Sequence, residues 1–298
     1  MINTPNNVCI LAMPRSGSTS LMHLIRYNFA QIYGKENTVS LGEATGLQSI
    51  VGNRSGLVQE INFDSPMGDI LCDYVKWTIE DGFIARRWHT GNPKEELYNR
   101  SSIIADGAWK NHAVFKNMRV HNSLLTTGFD QAIVKNKNIH HIVLWRKDLY
   151  GLLCSKFILG ATKLAHGVYQ WDGKPIGSMQ DQFRIERFAA NIDTMIASFL
   201  HAMKNVVPES KTVMIETSAI TPTKKIIWSD ERSLDITGPA SLDRGNISYV
   251  LQSTGQQVST KQMLDPDVAK YFAKLSESYK KLYDWDSIGK NSGLYSYE

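Results

Sequence analysis

Near its start the chain runs through Val8-Cys-Ile-Leu-Ala-Met13 without a polar interruption. A short apolar run that does not alternate predicts a strand buried on both faces, as in a parallel sheet. Pro14 to Ser18 is turn chemistry. From Ser20 to Ile32 the apolar positions Leu21, Leu24, Ile25, Phe29 and Ile32 fall on one helical face. Further short strands are predicted at Ala113–Phe115, Ile139–Trp145 and Thr212–Ile215. Helices are predicted over Cys72–Arg87, Leu149–Leu159, Asp181–Met203 and Asp265–Tyr283. Residues 52–69 read as irregular and 219–262 as loop-rich. Asp172-Gly173, between extended residues, reads as a hairpin turn.

Strands alternating with helices predict an α/β domain with a doubly wound parallel sheet of about four to five strands. The 298 residues fit one such domain, with insertions around 44–110 and 160–182. In sheets of this kind ligands sit beyond the carboxyl ends of the strands. That rule directs attention to the residues after Met13, Phe115 and Trp145.

The first of these is Pro14-Arg-Ser-Gly-Ser-Thr-Ser-Leu21. Gly17 and the small hydroxyl residues Ser16, Ser18, Thr19 and Ser20 let backbone N–H groups close around an anion. The helix that follows aims its positive N-terminus at the same place. Arg15 adds a permanent charge. A Walker A loop needs G-x-x-x-x-G-K-[ST]. With Gly17 as the second glycine, Ala12 stands at the first and Ser18 at the lysine, so both signature positions differ.

The other strand end carries Arg146, then Lys147-Asp-Leu-Tyr-Gly-Leu-Leu-Cys-Ser155. An arginine at a strand's carboxyl end can hold an anion bidentately, and a serine inside the next helix can donate one hydrogen bond to it. Asp148 is expected as the helix N-cap.

Composition adds little to this and excludes several classes. Charged residues are 21% of the chain and apolar ones 42%, which is ordinary for a globular protein. The net charge of +4 suits a small anionic ligand and is too scattered for nucleic acid. Cys9, Cys72 and Cys154 form no disulfide framework and no zinc spacing. His140 and His141 are neighbours in a strand, so they point to opposite faces and cannot chelate one ion together. The first residues carry no basic segment and no long apolar run, and no stretch reaches the length of a membrane span. A cytoplasmic protein with no membrane span is expected. The oligomeric state is not readable.

The two anion motifs, in this order on successive strand ends, resemble those of sulfotransferases that use 3'-phosphoadenosine-5'-phosphosulfate (PAPS). The resemblance is closest to the bacterial and carbohydrate-type branch, and it spans the frame from Val8 to about Ser218. It implies a sulfotransferase form of the P-loop nucleotide hydrolase-like fold, with PAPS as cofactor and adenosine 3',5'-bisphosphate as product. It implies no required metal. The loop Arg15–Ser20 would hold the 5'-phosphosulfate, and Arg146 and Ser155 the 3'-phosphate. Lys116 matches the family's strand-end lysine, which contacts the sulfuryl oxygens. The cytosolic small-molecule branch carries its basic histidine where Met118 stands here, so the base must lie elsewhere. Leu41-Gly-Glu-Ala44 resembles a Gly-Glu segment of the bacterial enzymes, which makes Glu43 the candidate base and His121 the runner-up. Arg15 would neutralise the leaving 5'-phosphate. The family's Tyr-Glu-Asp is Ile215-Glu-Thr217 here, which leaves adenine recognition open. Either Gln256–Lys261 or Arg244-Gly245 would be the late basic segment over the nucleotide.

The acceptor is a small molecule or glycan with a hydroxyl or amine to be sulfated. Trp77, Trp88, Trp109, Tyr169 and Trp171 are aromatic surfaces that suit a sugar ring or glycolipid as well as they suit a core. The alternative readings are a P-loop kinase-like phosphotransferase and a catalytically inactive nucleotide-binding module.

Overall fold

The computed structural model describes residues 4–35, 37–43, 112–118, 139–162, 167–205, 207, 211–220, 225–236, 238 and 247–288. The expected helix at Cys72–Arg87, the irregular stretch 52–69 and the three tryptophans Trp77, Trp88 and Trp109 lie outside the described residues.

The frame is a five-stranded sheet in which every neighbouring pair is parallel. Its strands are β1 (Asn7–Ala12), β2 (Thr38–Glu43), β3 (His112–Met118), β4 (Ile139–Trp145) and β6 (Thr212–Glu216), in the order β2-β3-β1-β4-β6. The central β1 and its neighbour β4 are buried along their whole lengths. This is why their sequences do not alternate: each face needs apolar cover.

The pleat divides the strand residues between two apolar layers. Leu11, Met13, Val143, Trp145 and Met214 pack with α2 (Leu149–Thr162), α3 (Gln182–Asn205) and α5 (Pro266–Leu282). Val8, Ile10, Ala12, Ile142, Leu144 and Ile215 pack with α1 (Ser18–Tyr33) and with the small hairpin of β7 (Lys225–Ile227) and β8 (Ser233–Asp235). The sheet is therefore covered on both faces, and the carboxyl ends of its strands share one edge. Cys9 and Cys154 are buried, and neither is in a disulfide.

The helix ends follow their local chemistry. The Asp265 side chain accepts from the N–H groups of Asp267 and Val268, and Pro266 fills the first turn of α5, where it loses no hydrogen bond. Gly34, at φ 91°, closes α1.

Three expectations change. β2 was not predicted as a strand; it carries the Leu41-Gly-Glu segment to the edge of the sheet. The turn at Asp172-Gly173 forms, with Asp172 Oδ1 accepting from Lys174 N at 3.0 Å, but it joins no hairpin. Instead β5 (Gly167–Trp171) pairs in parallel with β9 (Ile247–Leu251), about eighty positions further along, and Ile176 bridges to Leu264. The segment 219–262 is also less loop-like than expected. It contains β7, β8, β9 and the start of the short α4 (Thr260–Met263).

Far from the carboxyl edge, β4 begins with two buried histidines. His140 Nε2 lies 2.8 Å from Asp230 Oδ2. His141 has no hydrogen-bond partner at either ring nitrogen among the described residues. Burial, with His140 and Lys211 nearby, pushes its pKa from 6.5 down to about 3. The unfolded chain takes up this proton below about pH 6.5 and the folded chain does not, so acid favours unfolding. We expect stability to fall from pH 7.5 to pH 5, with His141 supplying a slope that approaches about 1.4 kcal/mol per pH unit well below its unfolded pKa. Urea denaturation of the wild type and of His141→Leu checks this. The variant should show a shallower dependence, and an unchanged one contradicts the assignment.

Candidate functional site

The loop between β1 and α1 is shaped by two left-handed residues, Arg15 at φ 70° and Gly17 at φ 76°. Glycine takes this conformation without strain, whereas an arginine there must be held by its surroundings. The holding contacts are specific. Arg146 Nη1 donates to the Arg15 carbonyl at 2.8 Å. The Thr217 hydroxyl, just past β6, lies 3.1 Å from both the Ser16 and the Trp145 carbonyls. The ends of β1, β4 and β6 are thereby tied to one loop.

The loop leaves donors open. Gly17 caps α1 and offers no side chain, and the first turn of α1 has no acidic residue. The first N–H groups of a helix then face whatever anion occupies the loop. Ser16 is fully buried, and its hydroxyl has no partner among the described residues. Ser18 is buried, and Thr19 and Ser20 are half-buried on the first turn of α1.

The Arg15 side chain turns away from its own loop. Its Nε donates to Ser155 Oγ, in the second turn of α2, at 2.9 Å. The two motifs expected for two anions therefore meet at one guanidinium, although their residues are 140 positions apart. As an acceptor here, Ser155 keeps its own proton available for donation. Burial is the main cause of a lowered pKa at Arg15; the Tyr249 phenol offsets it and the neighbouring Arg146 adds to it. No carboxylate pairs with Arg15 among the described residues.

Arg146 has a carboxylate within reach. Asp148 Oδ2 stands 3.5 Å from Arg146 Nη2 and 3.4 Å from Lys261 Nζ. Its Oδ1 accepts from Gly151 N at 2.8 Å, which is the expected N-cap. Burial raises the Asp148 pKa, but that hydrogen bond and the two cations outweigh it and leave the pKa below the ordinary value. Lys261 also lies 4.8 Å from the Tyr150 ring centroid. Of the two segments expected to supply a late basic group, Gln256–Lys261 is thus at the site. Arg244 and Gly245 lie outside the described residues. Lys147 is exposed, as a solvated charge would be.

On the other side of α1, Lys116 is 6% exposed and its Nζ donates to Thr19 Oγ1 at 3.1 Å. A buried ammonium needs such partners to stay charged. Glu43, the last residue of β2, is the Cα register partner of Lys116. The candidate base thus stands next to the strand-end lysine at the backbone level. His121 lies outside the described residues. Glu216 does local work: its carboxylate accepts from the Ser218 N–H and hydroxyl, holding the turn after β6. Tyr169 and Trp171 sit on β5, where the Trp171 indole donates to the Lys174 carbonyl at 2.7 Å.

No known family model matches this chain. No curated protein matches it either.

Sequence reasoning missed Thr217, Tyr249 and Gly151. Thr217 acts through carbonyls of two distant strands, which no local pattern encodes. Gly151 stood in view inside the second motif. A Cβ there would lie 2.0 Å from Asp148 Oδ2 and 2.7 Å from Arg146 Nη2. Helix propensity alone favours Gly151→Ala by about 1 kcal/mol. We expect that gain to be cancelled or reversed, a net change from about 0 to a loss of about 1 kcal/mol, because the added methyl pushes the Asp148 cap and the Arg146 guanidinium off their hydrogen bonds. Chemical denaturation checks this, and a stabilised variant contradicts the packing of Asp148 and Arg146 over Gly151.

Proposed function

We propose that this protein is a PAPS-dependent sulfotransferase of the P-loop-like sulfotransferase fold, placing a sulfuryl group on a hydroxyl or amine. The observation that carries this reading is the Arg15 to Ser155 hydrogen bond, with Arg146 on the Arg15 carbonyl. It joins a strained anion loop to a second cationic site at a distance set by one arginine side chain. A nucleotide with phosphates on both the 5' and 3' positions needs two such sites together. A triphosphate needs a lysine in the loop, where Ser18 stands.

The residues fit the group. The Ser16 hydroxyl has no acceptor among the described residues, no side chain caps the start of α1, and no carboxylate there neutralises Arg15. In this reading Ser16–Ser20 hold the 5'-phosphosulfate by backbone N–H and hydroxyl groups. Arg146 and Ser155 hold the 3'-phosphate, and Arg15 lies between the two. PAPS supplies an activated sulfuryl group on a good leaving phosphate. Transfer breaks the sulfur–oxygen bond to that phosphate and forms one to the acceptor oxygen or nitrogen. The acceptor's proton passes to the Glu43 carboxylate. Lys116, held at the start of α1, faces the negative charge that develops on the sulfuryl oxygens, and Arg15 neutralises the departing phosphate. In this reading Tyr169 and Trp171, on β5, offer aromatic faces to the acceptor, which suits a carbohydrate or glycolipid. No helix among the described residues is long and apolar enough to cross a membrane, and a cytoplasmic location goes with this reading.

Two variants test it. Arg146→Ala should weaken binding of adenosine 3',5'-bisphosphate by about tenfold or more, the worth of a charge-assisted hydrogen bond. Adenosine 5'-phosphosulfate, which lacks the 3'-phosphate, should lose clearly less, only what releasing the Arg15 carbonyl costs the loop. Equal loss for both ligands removes Arg146 from the 3'-phosphate. Glu43→Gln should keep bisphosphate binding and lose transfer of radiolabelled sulfate from PAPS to an acceptor pool by about 100-fold or more. An active Glu43→Gln removes Glu43 as the base. If the wild type transfers nothing and instead shows Mg²⁺- and ATP-dependent phosphotransfer, the chain is a kinase.

A further inference from the structure

Tyr249 belongs to neither sequence motif, yet β9 delivers it to the same junction. Its backbone is fully engaged in local structure. It is the register partner of Tyr169 on β5, and its carbonyl accepts from Val258 N at 2.9 Å. Its ring packs edge-on against Tyr169 at 6.1 Å and joins the apolar layer that holds Leu11, Met13 and Trp145. The side chain is 5% exposed. Its hydroxyl has no hydrogen-bond partner among the described residues. That layer covers the α2 face of the sheet, the face on which Arg15 reaches Ser155, and there the phenol and the guanidinium influence one another electrostatically.

These facts conflict unless something else enters the site. A buried hydroxyl without a partner destabilises the free protein, and a phenylalanine would fill the same apolar volume without that cost. Arg15 has only donors, so it cannot accept the phenol proton. Ser155 already receives Arg15 Nε. The junction links Arg15, Arg146 and Ser155, all of them donors, and what it lacks is an acceptor for the phenol.

We propose that the Tyr249 hydroxyl is a further anion ligand, donating a hydrogen bond to the phosphate held at the Arg15–Ser155–Arg146 junction. This rests on the two-phosphate reading of the site and identifies that group as the 3'-phosphate. Tyr249 thereby favours nucleotides phosphorylated at the 3' position over those that are not.

The test is Tyr249→Phe, read by two measurements that a merely structural tyrosine would move differently. Calorimetric titration should show about tenfold weaker binding of adenosine 3',5'-bisphosphate, as for a hydrogen bond to a charged group. Binding of AMP, which has no 3'-phosphate, should change by less than about twofold if that bond is absent from its complex. The melting temperature of the ligand-free variant should equal or exceed that of the wild type. Unchanged bisphosphate affinity overturns the proposal and leaves the sulfotransferase reading standing. Equal weakening for AMP overturns the 3' assignment, and a lower ligand-free melting temperature shows a structural role. If the wild type binds no bisphosphate, the proposal falls together with the reading beneath it.

Discussion

The guanidinium of Arg15 is the group on which the site depends. Its backbone is left-handed and strained, its carbonyl is held by Arg146, and its Nε reaches Ser155 on another helix. Each contact makes sense of the others. The strained backbone exposes the loop N–H groups toward the start of α1. The Arg146 bond fixes the loop against the end of β4. The Ser155 bond carries the side chain to α2, so that one cation joins the two motifs. The parallel sheet makes this possible, because it sets the carboxyl ends of β1, β4 and β6 side by side.

Charge balance follows from the same arrangement. Arg146 and Lys261 flank Asp148, which is also spent on capping α2, and Arg146 in turn holds the Arg15 carbonyl. One partly exposed carboxylate does not neutralise three cations. Close like charges repel strongly where water is excluded, and burial already lowers the Arg15 pKa. On the proposed reading, an incoming dianion relieves that repulsion. The Ser16 and Tyr249 hydroxyls extend the same unfinished state to neutral donors.

Much of this was legible in the sequence. Val8–Met13 is uniformly apolar and Ile139–Trp145 is apolar but for its two histidines; both are strands covered on both faces, the central strand and one of its neighbours, and both lead into the motifs. The loop's small residues and the cap at Asp148 also follow from local chemistry. What could not be read depends on distant partners. β2 is short and contains a glycine, and it pairs with a strand some seventy positions away. Asp172-Gly173 makes the turn its residues predict, but the strand before it finds its partner in β9. The same pairing carries Tyr249 to Arg15, and no spacing within residues 219–262 announces that. Thr217 was likewise invisible, because its value lies in two carbonyls of other strands.

The central claim is that one site accepts two separate phosphates of a nucleotide and no triphosphate. Calorimetric titration with adenosine 3',5'-bisphosphate, set beside ATP with Mg²⁺, tests it most directly. The account predicts micromolar or tighter binding of the bisphosphate and at least about tenfold weaker binding of ATP–Mg²⁺, the loss expected when a charge-assisted contact is not made. Preference for ATP–Mg²⁺ would contradict it, since the loop would then cradle a triphosphate without the lysine that such loops use.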